Sequence, residues 1–233
     1  MGACRIRPST NTFIITPPVE QVAPHRHLIC FFPDAVYSAC MPVFISLLRG
    51  VNVGGHNKIK MDALRALYES LGLQDCRTYV QSGNVVFKSD SPAGEGAGGH
   101  YIPQLATRIE DAIQRRFGFR PDAILRTASE LRDVIARNPF SKRRDMNPSK
   151  LLVAFLATHP SPDACNRLRT LNIGPEEVRI DGRELYFYFP NGIARAKLSW
   201  PLLDRTLKTP LTGRNWNTVM KLLQIAEQLE SSP

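Results

Sequence analysis

The chain has no apolar run long enough to cross a bilayer, which takes about 20 nonpolar residues, so a membrane-spanning helix is not expected. It is poor in cysteine: Cys4, Cys30, Cys40, Cys76 and Cys165 are the only five, and no two have the spacing of a zinc knuckle or a redox pair. A disulfide framework is not required either, because 233 residues suffice to bury a core without one. Cys76 and Cys165 lie in apolar surroundings and read as reduced core thiols, which points to the cytoplasm. Histidine is scarce as well. His100 and His159 fall in loops without ligand spacing, so neither a metal nor a cofactor is expected. Asp62, Glu69, Glu110 and Asp111 read as solvated helix faces, and no carboxylate pair suited to acid–base work can be assigned. Acidic residues are the minority charge, 21 against 30 Lys and Arg, for a formal net charge of +9. Such a surplus favours polyanionic partners, or means only a basic surface.

What is present begins with a proline-rich leader of little periodicity, residues 1–41. Arg5, Arg7 and the prolines at 17, 18 and 24 interrupt any continuous apolar core, so it does not read as a secretory signal. Met41 stands directly before the first convincing strand, and the expectation is that the leader is an ill-ordered or mis-annotated extension upstream of a natural start.

From there the pattern is regular. Residues 43–48 read as a buried strand, and 61–71 as a helix with Met61, Leu64, Leu67, Tyr68 and Leu71 on one face. Residues 77–80 and 84–87 read as a hairpin, followed by a loop over 90–100, a helix to Phe117 and a short strand at 123–125. Thr127 and Glu130 have capping-box spacing for a connecting helix, and 141–148 is a basic linker. The order then recurs: a strand at 151–156, a helix opened by Ser161-Pro162, a hairpin of 178–180 and 185–189, and helices at 198–207 and 216–229. The expected fold is α+β, two ferredoxin-like β-α-β-β-α-β halves packed around a cleft. Its parts are residues 42–127, a connecting helix and linker at 128–150, and a second α+β domain at 151–229.

Three motifs carry the chemistry. Leu48-Arg49-Gly50-Val51-Asn52-Val53-Gly54-Gly55 leaves a strand and reaches a helix start through Lys58 and Lys60. Glycines that let backbone N–H groups approach, with cations beside a helix N-terminus, suit a phosphate or other anion. The order is neither a Walker loop nor a dinucleotide fingerprint, and the competing reading is a loop whose glycines only turn the chain. Gln81, Ser82 and Asn84 at the hairpin tip could orient a polar ligand or simply stabilise the turn. Arg214-Asn215-Trp216-Asn217-Thr218 opens the last helix, where Asn215 or Asn217 could cap it and Arg214, with Lys197 upstream, could complete an anion pocket. A lone loop histidine, His56, is a weak catalytic candidate.

These motifs, together with Tyr79-Val80-Gln81-Ser82-Gly83-Asn84-Val85-Val86-Phe87 and Tyr188-Phe189-Pro190-Asn191-Gly192-Ile193, resemble the bacterial family called domain of unknown function 1697. The resemblance covers about residues 42–227 and implies a two-part α+β fold and a cytoplasmic protein, with no established substrate. Where relatives carry a serine before Lys197 this chain has Ala196, and Ala194 replaces a usual glycine, which removes a Ser/Lys nucleophile from consideration. The expected function is binding of a phosphorylated small molecule or nucleotide in an inter-domain cleft. Arg49, Asn52, Gly54, Gly55, Lys58, Lys60, Lys197 and Arg214 would meet the anion, and Gln81, Ser82, Asn84, Asn215 and Asn217 would orient polar groups. The alternatives are a sequence-tolerant RNA- or DNA-binding module and an interaction scaffold without catalysis. No reaction, catalytic residue, membrane association or obligate protein partner is assigned.

Overall fold

The computed structural model describes residues 41–90, 98–171, 173–195 and 199–232. The leader expected to be an extension, and Lys197, lie outside the described residues. No described helix is long and apolar enough to cross a membrane.

The first set of elements runs β1 (Val43–Leu48), α1 (Met61–Ser70), β2 (Gln74–Tyr79), β3 (Asn84–Lys88), α2 (Gly98–Phe117) and β4 (Ala123–Thr127). Helix α3 (Ala128–Ala136) follows directly on β4. The second set repeats the order: β5 (Leu151–Leu156), α4 (Pro162–Thr170), β6 (Glu177–Asp181), β7 (Glu184–Tyr188), α5 (Trp200–Leu207) and β8 (Leu211–Asn215). The chain closes with α6 (Trp216–Glu230). The two antiparallel sheets have strand orders β2-β3-β1-β4 and β6-β7-β5-β8. Their registers coincide. Leu47 faces Asn84 and Ile45 faces Arg126 in the first; Phe155 faces Glu184 and Val153 faces Arg214 in the second. Strand β8 is absent from the sequence-based expectation, and it completes the repeat.

Both faces of each sheet are covered, which is why β1 and β5 are apolar without alternation. From β1, Phe44 and Leu48 join a core with Leu64 and Leu67 of α1 and Leu105 and Ile109 of α2. From β5, Leu152, Ala154 and Leu156 pack with Leu168 of α4 and Leu203 of α5. The opposite side chains, Ile45 and Leu47 from one sheet and Val153 and Phe155 from the other, enter one shared core. That core is completed by Leu131 and Val134 of α3 and by Trp216, Val219, Leu222, Ala226 and Leu229 of α6. The expectation of a cleft between two halves is therefore corrected. The space between the sheets is filled by α3, α6 and apolar side chains, because burying both sheet faces removes more nonpolar surface from water than an open cleft would. Hollows remain at the rims.

The helices that fill the interior start with strong local signals. At α3, Thr127 Oγ1 accepts from Glu130 N (3.1 Å) while Glu130 Oε2 accepts from Thr127 N (2.8 Å), the expected capping box. At α6, Asn215 Oδ1 accepts from Thr218 N (2.8 Å).

Candidate functional site

The loop joining β1 to α1 is braced by its own side chains. Asn52 has φ +55° and Asn57 φ +51°, with Gly54 and Gly55 also left-handed at +59° and +83°. Left-handed backbone favours glycine and, next, asparagine, whose short side chain bonds locally. Asn52 does so: its Oδ1 accepts from Ile59 N (2.9 Å), and its Nδ2 donates to Ile59 O (3.0 Å) and Gln81 O (2.7 Å). Asn57 Nδ2 donates to Gly50 O (3.1 Å). The loop is thus closed on itself and tied to the tip of the β2–β3 hairpin. At that tip Val80 is held at φ +49° and is 48% exposed, a strained conformation for a β-branched residue.

A hollow lies on each side of this loop. The first, of about 470 Å³, is lined by Asn52, Gly55, Lys58, Ile59, Lys60, Met61 and Gln81. Helix α1 starts here from an extended Lys60 and has no side-chain cap. Its first N–H groups are left for solvent or a ligand, and they carry the positive end of the helix dipole. Lys58 and Lys60 are exposed, and neither ammonium has a partner among the described residues. The second hollow, about 380 Å³, sits where the two sheets' elements meet. Leu48, Arg49, Gly50, Val51, Val53 and Ser82 form one wall; Trp200, Asp204, Leu211, Thr212, Gly213 and Arg214 form the other.

The two arginines of this junction hollow differ. Arg49 bridges Asp122 (3.3 Å) and Asp204 (2.5 Å) and is partly exposed, so its charge is already answered twice. Arg214, 6% exposed, spends every donor. Its Nε donates to Asn84 Oδ1, Nη1 to Thr212 Oγ1 (2.7 Å) and Gly213 O (2.8 Å), and Nη2 to Leu48 O (2.8 Å) and Ser82 O (3.0 Å). No carboxylate is among these partners, and burial pushes the guanidinium down to about 10, so it stays charged at neutral pH. Arg126, at the same register position of β4, crosses the other way. It donates to Glu184 Oε1 (2.9 Å), Leu125 O (2.9 Å), Leu156 O (2.9 Å) and Arg183 O (3.3 Å). Each set of elements thus sends one buried arginine into the strand end and hairpin of the other.

The expected site residues therefore separate. Asn52, Gly55, Lys58, Lys60 and Gln81 line the loop hollow, with Gly54 exposed on the loop. Arg49, Ser82 and Arg214 line the junction hollow. The arrangement revises Arg214 as an anion contact, since it has no donor left to offer. Asn84 is fully buried; besides receiving Arg214, it donates to Tyr79 O (2.9 Å) and Ser82 Oγ (3.0 Å). Asn215 is the α6 cap, and Asn217 is exposed on that helix, in neither hollow. Trp200, Asp204 and Gly213 also line the junction hollow, and sequence reasoning missed them. The available signal was a tryptophan at a Ser199-Trp200-Pro201 helix start and a glycine inside a strand. His56 is exposed on the loop, and the described residues contain no group of His, Cys, Asp or Glu able to hold a metal.

Residues 41–186 match the model of a family described as protein of unknown function, DUF1697. No curated protein compared with the chain matches it. Among solved structures, the fold is similar to that of the conserved bacterial protein SP0830 from Streptococcus pneumoniae, with a TM-score of 0.57 at 23% identity, covering 80% of this chain and 99% of that one.

Proposed function

The chain belongs to the DUF1697 family, described as of unknown function, and from that premise we propose that it binds a phosphorylated small molecule or nucleotide at the loop between β1 and α1. One observation carries this reading: two unpaired lysines flank the only described helix start that lacks a side-chain cap where a cap is assigned, within one hollow. Helices α3, α4, α5 and α6 each begin with a Ser, Thr or Asn oxygen on a backbone N–H. At α1 that place is taken by Lys60, which cannot accept. The first-turn Asp62 turns to Arg65 (3.5 Å) and leaves the helix start to cations and amides.

We read the two β-α-β-β-α-β sets as ferredoxin-like halves, residues 42–127 and 151–229 joined through 128–150; their equal strand order and register support this. The free thiols Cys76 and Cys165 support a cytoplasmic location. A small ligand is favoured over nucleic acid because many surface arginines, among them Arg65, Arg120, Arg132 and Arg143, already face carboxylates.

Calorimetric titration with pyrophosphate tests the proposal on the parent and on a Lys58→Gln/Lys60→Gln variant. Both lysines are exposed, so the variant keeps its circular dichroism spectrum. Pyrophosphate is expected to bind the parent at least about tenfold more tightly than the variant, since charge-assisted hydrogen bonds exceed about 1.4 kcal/mol together. Equal affinity, or no binding to the parent at millimolar pyrophosphate, refutes it.

A further inference from the structure

The repeat supplies an internal control for the junction hollow. A second hollow, of about 440 Å³, occupies the corresponding place on the other rim. It is walled by β4, by Pro103 and Ala106 of α2, and by Ala157 and Thr158 at the end of β5. Register equates Leu48-Arg49-Gly50 with Leu156-Ala157-Thr158, and Arg214 with Arg126. A hollow at this place is therefore a consequence of how the two sets pack, and what differs between the copies is added specialisation.

Three differences mark the Arg49 side. The connection after β1 has twelve residues, 49–60, against five, 157–161, after β5. Arg49, paired with Asp204, stands where the other copy has Ala157, whose hollow carries Glu110 and Arg183 instead. An indole, Trp200, stands where the other copy offers Pro103 and Ala106. Trp200 remains 38% exposed, and Val53 beside the same hollow is 62% exposed. Gly213 explains how the indole is held. It lies inside β8 without a left-handed φ, so backbone conformation does not demand glycine there. A Cβ at this position would stand 2.7 Å from the indole ring, so the strand gives up a side chain to seat it. The Phe187 ring meets the indole edge-on at 6.4 Å. Of the Asp204 carboxylate, one oxygen receives Arg49 and the other has no partner among the described residues.

Building on the phosphate reading above, we propose that the junction hollow receives the planar heterocycle of the same ligand, stacked on Trp200 with the Arg49–Asp204 pair at its edge, so that the ligand class is a nucleoside phosphate. The two hollows lie on either side of one loop. Gly50, Val51 and Val53 line one and Asn52 and Gly55 the other; at the hairpin tip Ser82 and Gln81 divide in the same way. A ligand crossing the exposed crest at 53–55 would place a base in the apolar hollow and its phosphates by Lys58 and Lys60. A volume of about 380 Å³ with apolar walls and few polar groups falls in the range of small-molecule sites.

The test titrates pyrophosphate, ADP, GDP and adenosine into the parent, Trp200→Ala, Trp200→Tyr and Lys58→Gln/Lys60→Gln. ADP or GDP is expected to bind the parent at least about tenfold more tightly than pyrophosphate, the usual gain from base stacking on an aromatic ring. Trp200→Ala erases that advantage and leaves pyrophosphate affinity unchanged, whereas Trp200→Tyr keeps most of it. Equal affinities for pyrophosphate and both nucleotides in the parent overturn the inference while the phosphate reading stands. An advantage that survives in Trp200→Ala overturns it too. Adenosine binding that needs Trp200, without any pyrophosphate binding, sinks the phosphate reading and keeps the base site.

Discussion

Replacing Arg214 by methionine separates a ligand contact from a structural tie. Methionine has similar reach and no donors. The substitution strips partners from three acceptors across the junction: Leu48 O, Ser82 O and Asn84 Oδ1. These groups are packed around a residue only 6% exposed, so water cannot fully replace the guanidinium. Leu48 O keeps only a long bond from Thr212 Oγ1 (3.5 Å), so at about 1 kcal/mol for each acceptor the loss comes to about 3 kcal/mol. That is the low end of the about 3–5 kcal/mol typical of a broken buried ion pair, because no carboxylate is left behind. Arg49→Met is the matched control on the same hollow. Its ion pairs are partly exposed, so about 1 kcal/mol or less is expected. Urea unfolding at pH 7 followed by far-ultraviolet circular dichroism reads both values. A loss under about 1 kcal/mol for Arg214→Met, with phosphate binding abolished, would refute the cage and restore the arginine to the ligand site.

Other consequences follow from the same geometry. Because Asn84 shows that a neutral amide can serve a buried arginine here, Glu184→Gln should cost about 1–2 kcal/mol and Glu184→Ala about 3 kcal/mol. Equal losses in urea unfolding would show that a neutral amide cannot stand in for the carboxylate, whose charge is then what holds Arg126. Asn52→Ala removes three hydrogen bonds from a left-handed residue and should destabilise by about 2–3 kcal/mol while weakening pyrophosphate binding. Unaltered stability and affinity would mean that the loop is not held by that side chain. Val80→Asn relieves a strained φ at an exposed position and should raise stability by about 1 kcal/mol; a fall in melting temperature would contradict this.

What the sequence made legible was whatever depended on periodicity or capping. Five apolar residues of six in β1 and all six in β5, the α1 spacing and the Thr127–Glu130 box all act over a few neighbouring residues. Strand β8 escaped because Leu-Thr-Gly-Arg-Asn lacks strand character: its glycine seats Trp200, its arginine is caged and its asparagine caps α6. Only comparison with β4, where Arg126 holds the same place before the cap Thr127, reveals it. The filled interior did leave a trace. Trp216, Val219, Leu222, Leu223, Ile225, Ala226 and Leu229 spread around α6 more widely than a one-sided helix needs, as a helix pressed between two sheets should. The fate of the cations left none. Arg214 and Lys58 are both basic residues in polar motifs, and which is caged and which is free depends on contacts made across 130 and more residues of chain.

The most direct measurement is amide chemical-shift mapping by NMR during a titration with ADP. The account predicts shifts concentrated at residues 50–63, at the hairpin tip 81–82 and at the indole N–H of Trp200, while the indole N–H of Trp216 in the shared core stays still. Saturating shifts confined to surfaces away from the 49–60 loop, or none at millimolar ADP, would contradict it.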